Sequence, residues 1–287
     1  MTNREIKIRE GLRPLPEDKR DFQTGRVFGA LPVEALPRED FIIRGIGKIK
    51  DQGFTDYCTG YGVTLASENQ EKVELNPEFQ FAATKKISGD PERWGADLRS
   101  ACKSAVKFGS LLQQLAKFNA NSPREKVTNL NEYGDEMREV AMERRKHSFF
   151  AVTGPYDTFD NIRSATLQHK QPVVTGSYWR AEWDTPNGII PTEYSQGGFG
   201  HCFVFIGQTV INEELYLVAQ NSAGTKIGAS GWHFFPREVV NRECTWGNFV
   251  FVDLPADEAA VLNKFKLSIS WLWLAKIVAK VKRILRI

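Results

Sequence analysis

Cysteine is scarce in this sequence. Its 287 residues contain four cysteines, Cys58, Cys102, Cys202 and Cys244. Four are too few to build a disulfide-held scaffold, and none forms the C-x-x-C pair that is typical of zinc and redox sites. We therefore expect reduced thiols, with no bound metal and no cofactor.

Long apolar runs and a strong net charge are missing as well. The first residues, MTNREIKIREGLRPLPEDKRDF, lack the apolar segment of a signal peptide, which favours a cytoplasmic location. The formal charge is only +3, from 38 basic and 35 acidic residues. Composition therefore gives no reason to expect a nucleic-acid partner. Hydrophobic residues make up 41% of the chain, which is enough to bury a sizeable core.

The pattern along the chain divides it into three regions, of which the first two are an arm and a large domain. Residues 1–40 carry four prolines among charged residues, which disfavours helix and predicts an extended arm. Residues 41–255 combine helical patterns at about 52–140 with short β-rich runs at about 146–255, separated by Gly, Asn and Pro turns. This change in pattern predicts an α+β fold, in which a helical lobe packs against an antiparallel β lobe.

The third region, residues 256–287, predicts a basic amphipathic helix. Lysine and arginine lie on one face of its helical wheel, and leucine, isoleucine and valine lie on the other. Lys276 interrupts the apolar run, which is then shorter than the roughly 20 residues that a membrane span needs. Two alternatives remain open: binding to a membrane surface, which would make the protein peripheral, and docking onto a partner protein or onto the chain itself.

Cys58 is the candidate nucleophile. It follows the turn-like segment KDQGFTDY and opens the helical segment TGYGVTLASENQ. At that place, backbone N–H groups and the positive end of the helix dipole would favour the thiolate over a thiol whose ordinary pKa is about 8.5. The ordinary alternative is a small, buried hydrophobic side chain.

His201 and Asn221 are the candidates for the groups that activate this thiol. His201 lies in GGFGHCFVF, where glycines let the backbone approach a cleft and the apolar run anchors the imidazole on a strand. Asn221 ends the strand-like LYLVAQN, where its amide can accept a hydrogen bond from the imidazole and fix the orientation of the ring. A core histidine and a turn asparagine are the simpler readings of the same residues.

These segments resemble the papain-like cysteine peptidases of family C1, in a divergent form of the bacterial or phage type. KDQGFTDYCTGYGVTLAS resembles the family's nucleophile segment, GGFGH its histidine strand and QNSAGTKIGASGWHFFP its asparagine segment. His201 follows Cys58 by 143 residues, within the roughly 130–150 of such enzymes. The resemblance implies a two-lobe fold in which Cys58 is the nucleophile, His201 the acid and base, and Asn221 the residue that orients the imidazole. It also implies that Gln52 helps to hold the oxyanion.

The same resemblance implies two substrate-binding positions and shows some departures. GADLRSACKSAVKFG resembles the family's cleft helix, so Gly95 and Gly200 are expected to border the substrate cleft. The family's usual tryptophan is replaced by Ala223, which predicts a wetter and looser histidine–asparagine hydrogen bond. No long inhibitory segment precedes Cys58, so control by a prosegment is not expected.

The predicted activity is hydrolysis of peptide or protein substrates through a thioester at Cys58. Two alternatives use the same residues differently. One is a papain-like fold with little or no activity that serves as a binding or assembly module. The other is a transpeptidase that passes the acyl group of the thioester to an amine.

Overall fold

The computed structural model describes residues 11–15, 18, 21–27, 29, 31–43, 47–195 and 197–252. The predicted C-terminal helix at 256–287 lies outside these residues. Within them, no helix combines the length and the apolar character that a bilayer span requires. The same residues contain no group of three or more His, Cys, Asp or Glu side chains that could hold a metal ion.

Most of the helices lie in the first half of the described chain, and the last two lie in the second half. They are α1 (Thr24–Val27), α2 (Cys58–Glu71), α3 (Pro77–Ser88), α4 (Leu98–Phe108), α5 (Arg124–Val127), α6 (Gly134–Met142), α7 (Thr158–His169) and α8 (Arg237–Glu243). Short 3-10 turns lie at Val33–Ala35, Gln113–Leu115, Leu130–Tyr133 and Ala181–Trp183.

Local capping explains where two of the central helices begin. Asn76 precedes α3, and its side chain accepts a hydrogen bond from the backbone N–H of Phe79 at 2.8 Å. Pro77 occupies the first turn, where its missing N–H costs nothing. Asp97 caps α4 in the same way, by accepting from the N–H of Ser100 at 2.8 Å.

The second half is built on an antiparallel sheet. Three short strands precede it in the first half: β1 (Leu12–Arg13), β2 (Phe41–Ile42) and β3 (Ala96–Asp97). The strands of the second half are β4 (Ser148–Ala151), β5 (Val173–Trp179), β6 (Phe199–Ile211), β7 (Glu214–Gln220), β8 (Trp232–Pro236) and β9 (Asn248–Val252). The order in the main sheet is β4-β9-β5-β6-β7-β8, and β2 pairs with β6. Separately, β1 and β3 form a short parallel pair. The predicted α+β architecture is confirmed.

An aromatic core stiffens one face of β6. Phe203 stacks on Phe235 of β8 with ring centroids 5.1 Å apart, and Trp179 of β5 meets Phe203 edge to face at 5.5 Å. All three side chains are buried. Aromatic pairs of this kind contribute about 0.5–1.5 kcal/mol each beyond the area they bury, so they hold the middle of β6 in a defined position.

The other face of β6 receives α2. Gly62 of α2 lies so close to β6 that an added Cβ would be 2.5 Å from the Sγ of Cys202. Gly60, on another face of the helix, would bring a Cβ within 2.6 Å of the carbonyl oxygen of Pro77. These two glycines therefore let α2 pack tightly between α3 and the sheet. Because Cys58 is the first residue of α2, this packing places it next to β6.

Candidate active site

Cys58 lies at the junction of the two lobes. It is the first residue of α2 and is completely buried. The backbone N–H groups of Thr59 and of Cys202 in β6 are near enough to its sulfur to act on the pKa of the thiol, which both lower. Because Cys202 directly follows His201, the fold brings the nucleophile candidate next to the strand position that carries the histidine candidate.

His201 and Asn221 form the pair that the sequence predicts. The Nε2 atom of His201 lies 2.7 Å from the Oδ1 atom of Asn221. That same oxygen accepts the backbone N–H of Ser222 at 2.7 Å, which identifies it as an acceptor. His201 therefore carries a hydrogen on Nε2 and donates it to Asn221, and in this tautomer Nδ1 is the ring nitrogen that can accept a proton.

The pair is dry, contrary to the expectation drawn from Ala223. His201 is 1% exposed and Asn221 is 3% exposed. Trp179 of β5 covers the imidazole, with ring centroids 5.3 Å apart, and Phe199 approaches it from another side at 6.0 Å. The prediction of a wetter bond was wrong, because aromatic residues elsewhere in the sheet shield the pair.

Gln52 is buried and belongs to the same hydrogen-bond network. Its Oε1 atom accepts from the hydroxyl of Ser222 at 2.6 Å, and its Nε2 donates to the carbonyl oxygen of Thr55 at 2.8 Å. Its backbone N–H also donates to the carbonyl oxygen of Ser222 at 2.9 Å. Ser222 thus joins Gln52 on the nucleophile side to Asn221 on the histidine side. Sequence reasoning gave Ser222 no role, although its place next to Asn221 was a usable signal.

Gly95 and Gly200 border one groove, which we call the active-site groove, and the N-terminal segment already lies in it. The N–H of Gly11 donates to the carbonyl oxygen of Gly200 at 3.1 Å. The carbonyl oxygen of Gly11 accepts from the N–H of Ala96 at 2.8 Å, so the segment pairs in parallel with the strand that follows Gly95. We call residues 11–13 the arm segment.

The arm segment covers the sulfur. A Cβ added to Gly11 would lie 2.8 Å from the Sγ of Cys58, so only glycine fits at this point. The next side chain, Leu12, is 4% exposed and packs beside Gly176, where an added Cβ would lie 2.6 Å from its Cδ2. Nothing in the sequence indicated this cover, because the segment is short and lies far from Cys58 along the chain.

Burial changes the ionisation of the nucleophile. It raises the pKa of Cys58 to about 12, although the N–H groups of Cys202 and Thr59 act in the opposite direction. The sequence favoured a thiolate, whereas burial in this conformation favours the protonated thiol. The physical reason is that removing a sulfur anion from water costs more than these backbone dipoles return.

The fold is similar to those of solved cysteine proteases. Xylellain, a cysteine protease from Xylella fastidiosa, matches with a TM-score of 0.73 and 19% identity, over 89% of this chain and 100% of that one. Digestive procathepsin L 3 of Tenebrio molitor matches with a TM-score of 0.67 and 16% identity, over 86% and 77% of the two chains. For bromelain from Ananas comosus the TM-score is 0.57 and the identity 14%, over 75% and 99%.

Sequence comparison is silent: no protein-family model and no curated protein matches the chain. The structural matches span most of the chain and include both the helical and the sheet part. This protein therefore has the fold of the papain-like cysteine proteases.

Proposed function

We propose that the chain is a cysteine peptidase that hydrolyses peptide bonds through a thioester at Cys58. The observation that carries the proposal is the buried hydrogen bond of 2.7 Å between His201 and Asn221. The residue after His201 on the same strand, Cys202, has a backbone N–H that acts on the Cys58 sulfur and lowers the pKa of the thiol. Nucleophilic catalysis by cysteine requires a thiol and an imidazole that is held in one orientation. Cys58 of the helical lobe and His201 of the β lobe are the candidates for these two groups.

The chemistry follows from these positions. Once the arm segment has left the groove, the Nδ1 atom of His201 takes the thiol proton, and the sulfur attacks the substrate carbonyl carbon. The carbonyl oxygen becomes an oxyanion that can accept the backbone N–H of Cys58 and the Gln52 amide hydrogen not used by Thr55. The imidazolium then gives its proton to the leaving amine as the C–N bond breaks, which leaves a thioester.

Water completes the reaction. His201 takes a proton from a water molecule, the resulting hydroxide attacks the thioester carbonyl, and the sulfur departs as a thiolate. Asn221 holds the ring through both steps and transfers no proton. The imidazolium then returns its proton to the thiolate, which restores the starting thiol and neutral imidazole. One peptide bond and one water molecule are consumed, and an amine and a carboxylic acid are formed.

Substitution of Cys58 and His201 tests the proposal. In a chain whose arm segment is displaced by Leu12→Asp, adding Cys58→Ala or His201→Ala should lower hydrolysis of a broad peptide library by about 10⁴-fold or more. Cys244→Ala is the matched control, because Cys244 is equally buried but belongs to the aromatic core of the sheet. Unchanged turnover in Cys58→Ala would end the proposal.

The covered, protonated thiol favours one second candidate, a papain-like module that binds without catalysis. Alkylation of Cys58 by iodoacetamide at pH 5–6 separates the two functions. A thiol that has lost its proton to His201 reacts at this pH, whereas an isolated cysteine does not. The measurement is made on the Leu12→Asp chain, in which reagent can reach the sulfur.

Location and attachment are proposals that depend on sequence alone. We propose a cytoplasmic protein whose residues 256–287 form a basic amphipathic helix that lies on anionic membranes. Cosedimentation with anionic liposomes that weakens as salt is added would support this attachment. Equal sedimentation with and without residues 256–287 would leave docking onto a protein as the alternative.

A further inference from the structure

The arm segment makes an ion pair at the edge of the active-site groove. Both terminal nitrogens of Arg13 reach the carboxylate of Asp90: Nη1 is hydrogen-bonded to Oδ2, and Nη2 lies 3.3 Å from Oδ1. The side chains are 17% and 27% exposed, respectively. This two-pronged geometry is the one that planar recognition of a carboxylate by arginine uses.

The carboxylate of Asp90 is held in place from its own side of the groove. The hydroxyl of Ser88 donates to Oδ1, and Nζ of Lys85 lies 3.3 Å from the same oxygen. Lys85 is fully buried and also donates to the carbonyl oxygen of Gly95 at 2.8 Å. The lysine therefore ties Asp90 to the strand that pairs with the arm, and these contacts do not depend on Arg13.

Asp90 is charged in this setting. Burial by itself raises the pKa of its carboxyl group, but hydrogen bonds from Arg13 and Ser88 and the charge of Lys85 outweigh that effect, so the pKa is lowered. The ammonium group of Lys85 is shared between Asp90 and two backbone carbonyl oxygens, those of Arg93 and Gly95. A fixed, ionised and partly exposed carboxylate at the edge of a groove that binds extended chain can accept a second cation.

The position of Asp90 along the groove is defined by the arm. Gly11 lies against the Cys58 sulfur, and Arg13, two residues further on, lies at Asp90. Leu12, between them, fills the apolar space beside Gly176. A peptide that occupies the groove in the same extended conformation would therefore present to Asp90 the residue two positions beyond the one that lies against the sulfur.

We infer that Asp90 is a binding subsite for a basic side chain, two residues from the one that lies against Cys58, and that Arg13 is its intramolecular ligand. For substrates, this inference rests on the proposed function and adds a preference to it. Peptides with arginine or lysine at that position compete best with the arm segment for the groove. It also makes Arg13 a latch, because the same carboxylate that recognises the substrate holds the arm in the groove.

A double-mutant cycle in the full chain tests the latch. Arg13→Gln and Asp90→Asn should each raise the rate of Cys58 alkylation by iodoacetamide about threefold to fivefold, as expected for a partly exposed ion pair. The double variant should react no faster than the faster single variant. Glu92→Gln removes the same charge two residues from Asp90 and should leave the rate unchanged. Fully additive effects, or an equal effect of Glu92→Gln, would overturn the latch.

A peptide competition tests the subsite itself. The chain with Arg13→Gln keeps the Asp90–Lys85 pair, so it also guards against misfolding of Asp90→Asn. The acetylated amide of GLRPL, the sequence of residues 11–15, should protect Cys58 of this chain from alkylation at a concentration about fivefold lower than the same peptide with glutamine for arginine. In Arg13→Gln/Asp90→Asn the two peptides should protect equally. Equal protection already in Arg13→Gln would overturn the subsite.

These readouts separate the subsite from the proposed function. Protection from alkylation requires only that a peptide cover the thiol, and it does not require peptide hydrolysis. If the chain has no hydrolytic activity but prefers arginine in a way that depends on Asp90, the subsite is supported and the proposed peptidase function is rejected. If the chain hydrolyses peptides without any preference for a basic residue at this position, the peptidase function is supported and the subsite is rejected.

Discussion

The two halves of the candidate site are in different states of readiness. The imidazole half is complete: His201 is buried, its tautomer is set by Asn221 and its ring is covered by Trp179. The sulfur half is not, because Gly11 covers Cys58 and burial keeps the thiol protonated. The difference shows that the sheet preorganises the base, whereas access to the nucleophile depends on a segment more than 40 residues earlier in the chain.

Breaking the imidazole half should have the largest effect. Asn221→Ala removes the acceptor that sets the tautomer of His201, so hydrolysis by the Leu12→Asp chain should fall about 10²-fold or more. The fall should appear in kcat more than in KM, because the ring orients a reacting proton and does not bind substrate. Asn221→Gln, which keeps an amide, should retain more activity than the alanine variant. Steady-state kinetics with one peptide substrate measures the split, and a change confined to KM would contradict this role.

Opening the sulfur half should have the next largest effect. Burial of a leucine side chain contributes about 2 kcal/mol, and Leu12→Asp replaces that gain by the cost of a buried charge. Alkylation of Cys58 at neutral pH should therefore accelerate about 30-fold or more.

The rate of Cys58 alkylation should depend on pH in a direction that the pKa of the thiol sets. Covering raises the pKa of the thiol to about 12, so alkylation of the native chain should rise only toward strongly alkaline pH. Displacing the arm lowers this pKa, so the rate of the Leu12→Asp chain should rise at a lower pH. Leu115→Asp, at an exposed leucine on the helical side, should keep the native profile. Superimposable pH profiles of the native and Leu12→Asp chains would show that the arm does not control the sulfur.

Cutting the link between the halves should have the smallest effect. Ser222→Ala removes the hydroxyl that donates to Gln52. It keeps the backbone N–H of residue 222, which donates to Oδ1 of Asn221. The free energy of unfolding should fall by about 1 kcal/mol, and activity should fall severalfold, because the Gln52 amide loses its anchor. Denaturant unfolding and peptide hydrolysis measure the two changes. A loss as large as that of Asn221→Ala would mean that Ser222 also holds the histidine pair.

Much of the site was accessible from sequence because its signals are local. The cap at Asn76 and the cap at Asp97 depend on residues within three positions, and both helices lie inside the stretch at about 52–140 whose pattern is helical. The spacing and order of Cys58, His201 and Asn221 predicted a site that the fold assembles from α2, β6 and the end of β7. Their catalytic roles remain proposals.

Other features could not be derived because they depend on contacts between distant residues. The pairing of Leu12 with Ala96 involves two residues on each side, which is too short to leave a periodic pattern. The shield over His201 depends on the register that places Trp179 opposite Phe199 across β5 and β6. A tryptophan in a strand-like run does not reveal which histidine it will cover.

The sequence by itself determined the α+β class, the division into a helical and a β-rich part and the identity of a thiol, an imidazole and an amide in a fixed order. Only the tertiary structure decided that the imidazole is dry, that the thiol is covered and that Arg13 meets Asp90. The reason is physical: caps and turns are set by hydrogen bonds between near neighbours. Burial and ionisation instead depend on which distant segments exclude water from a given atom.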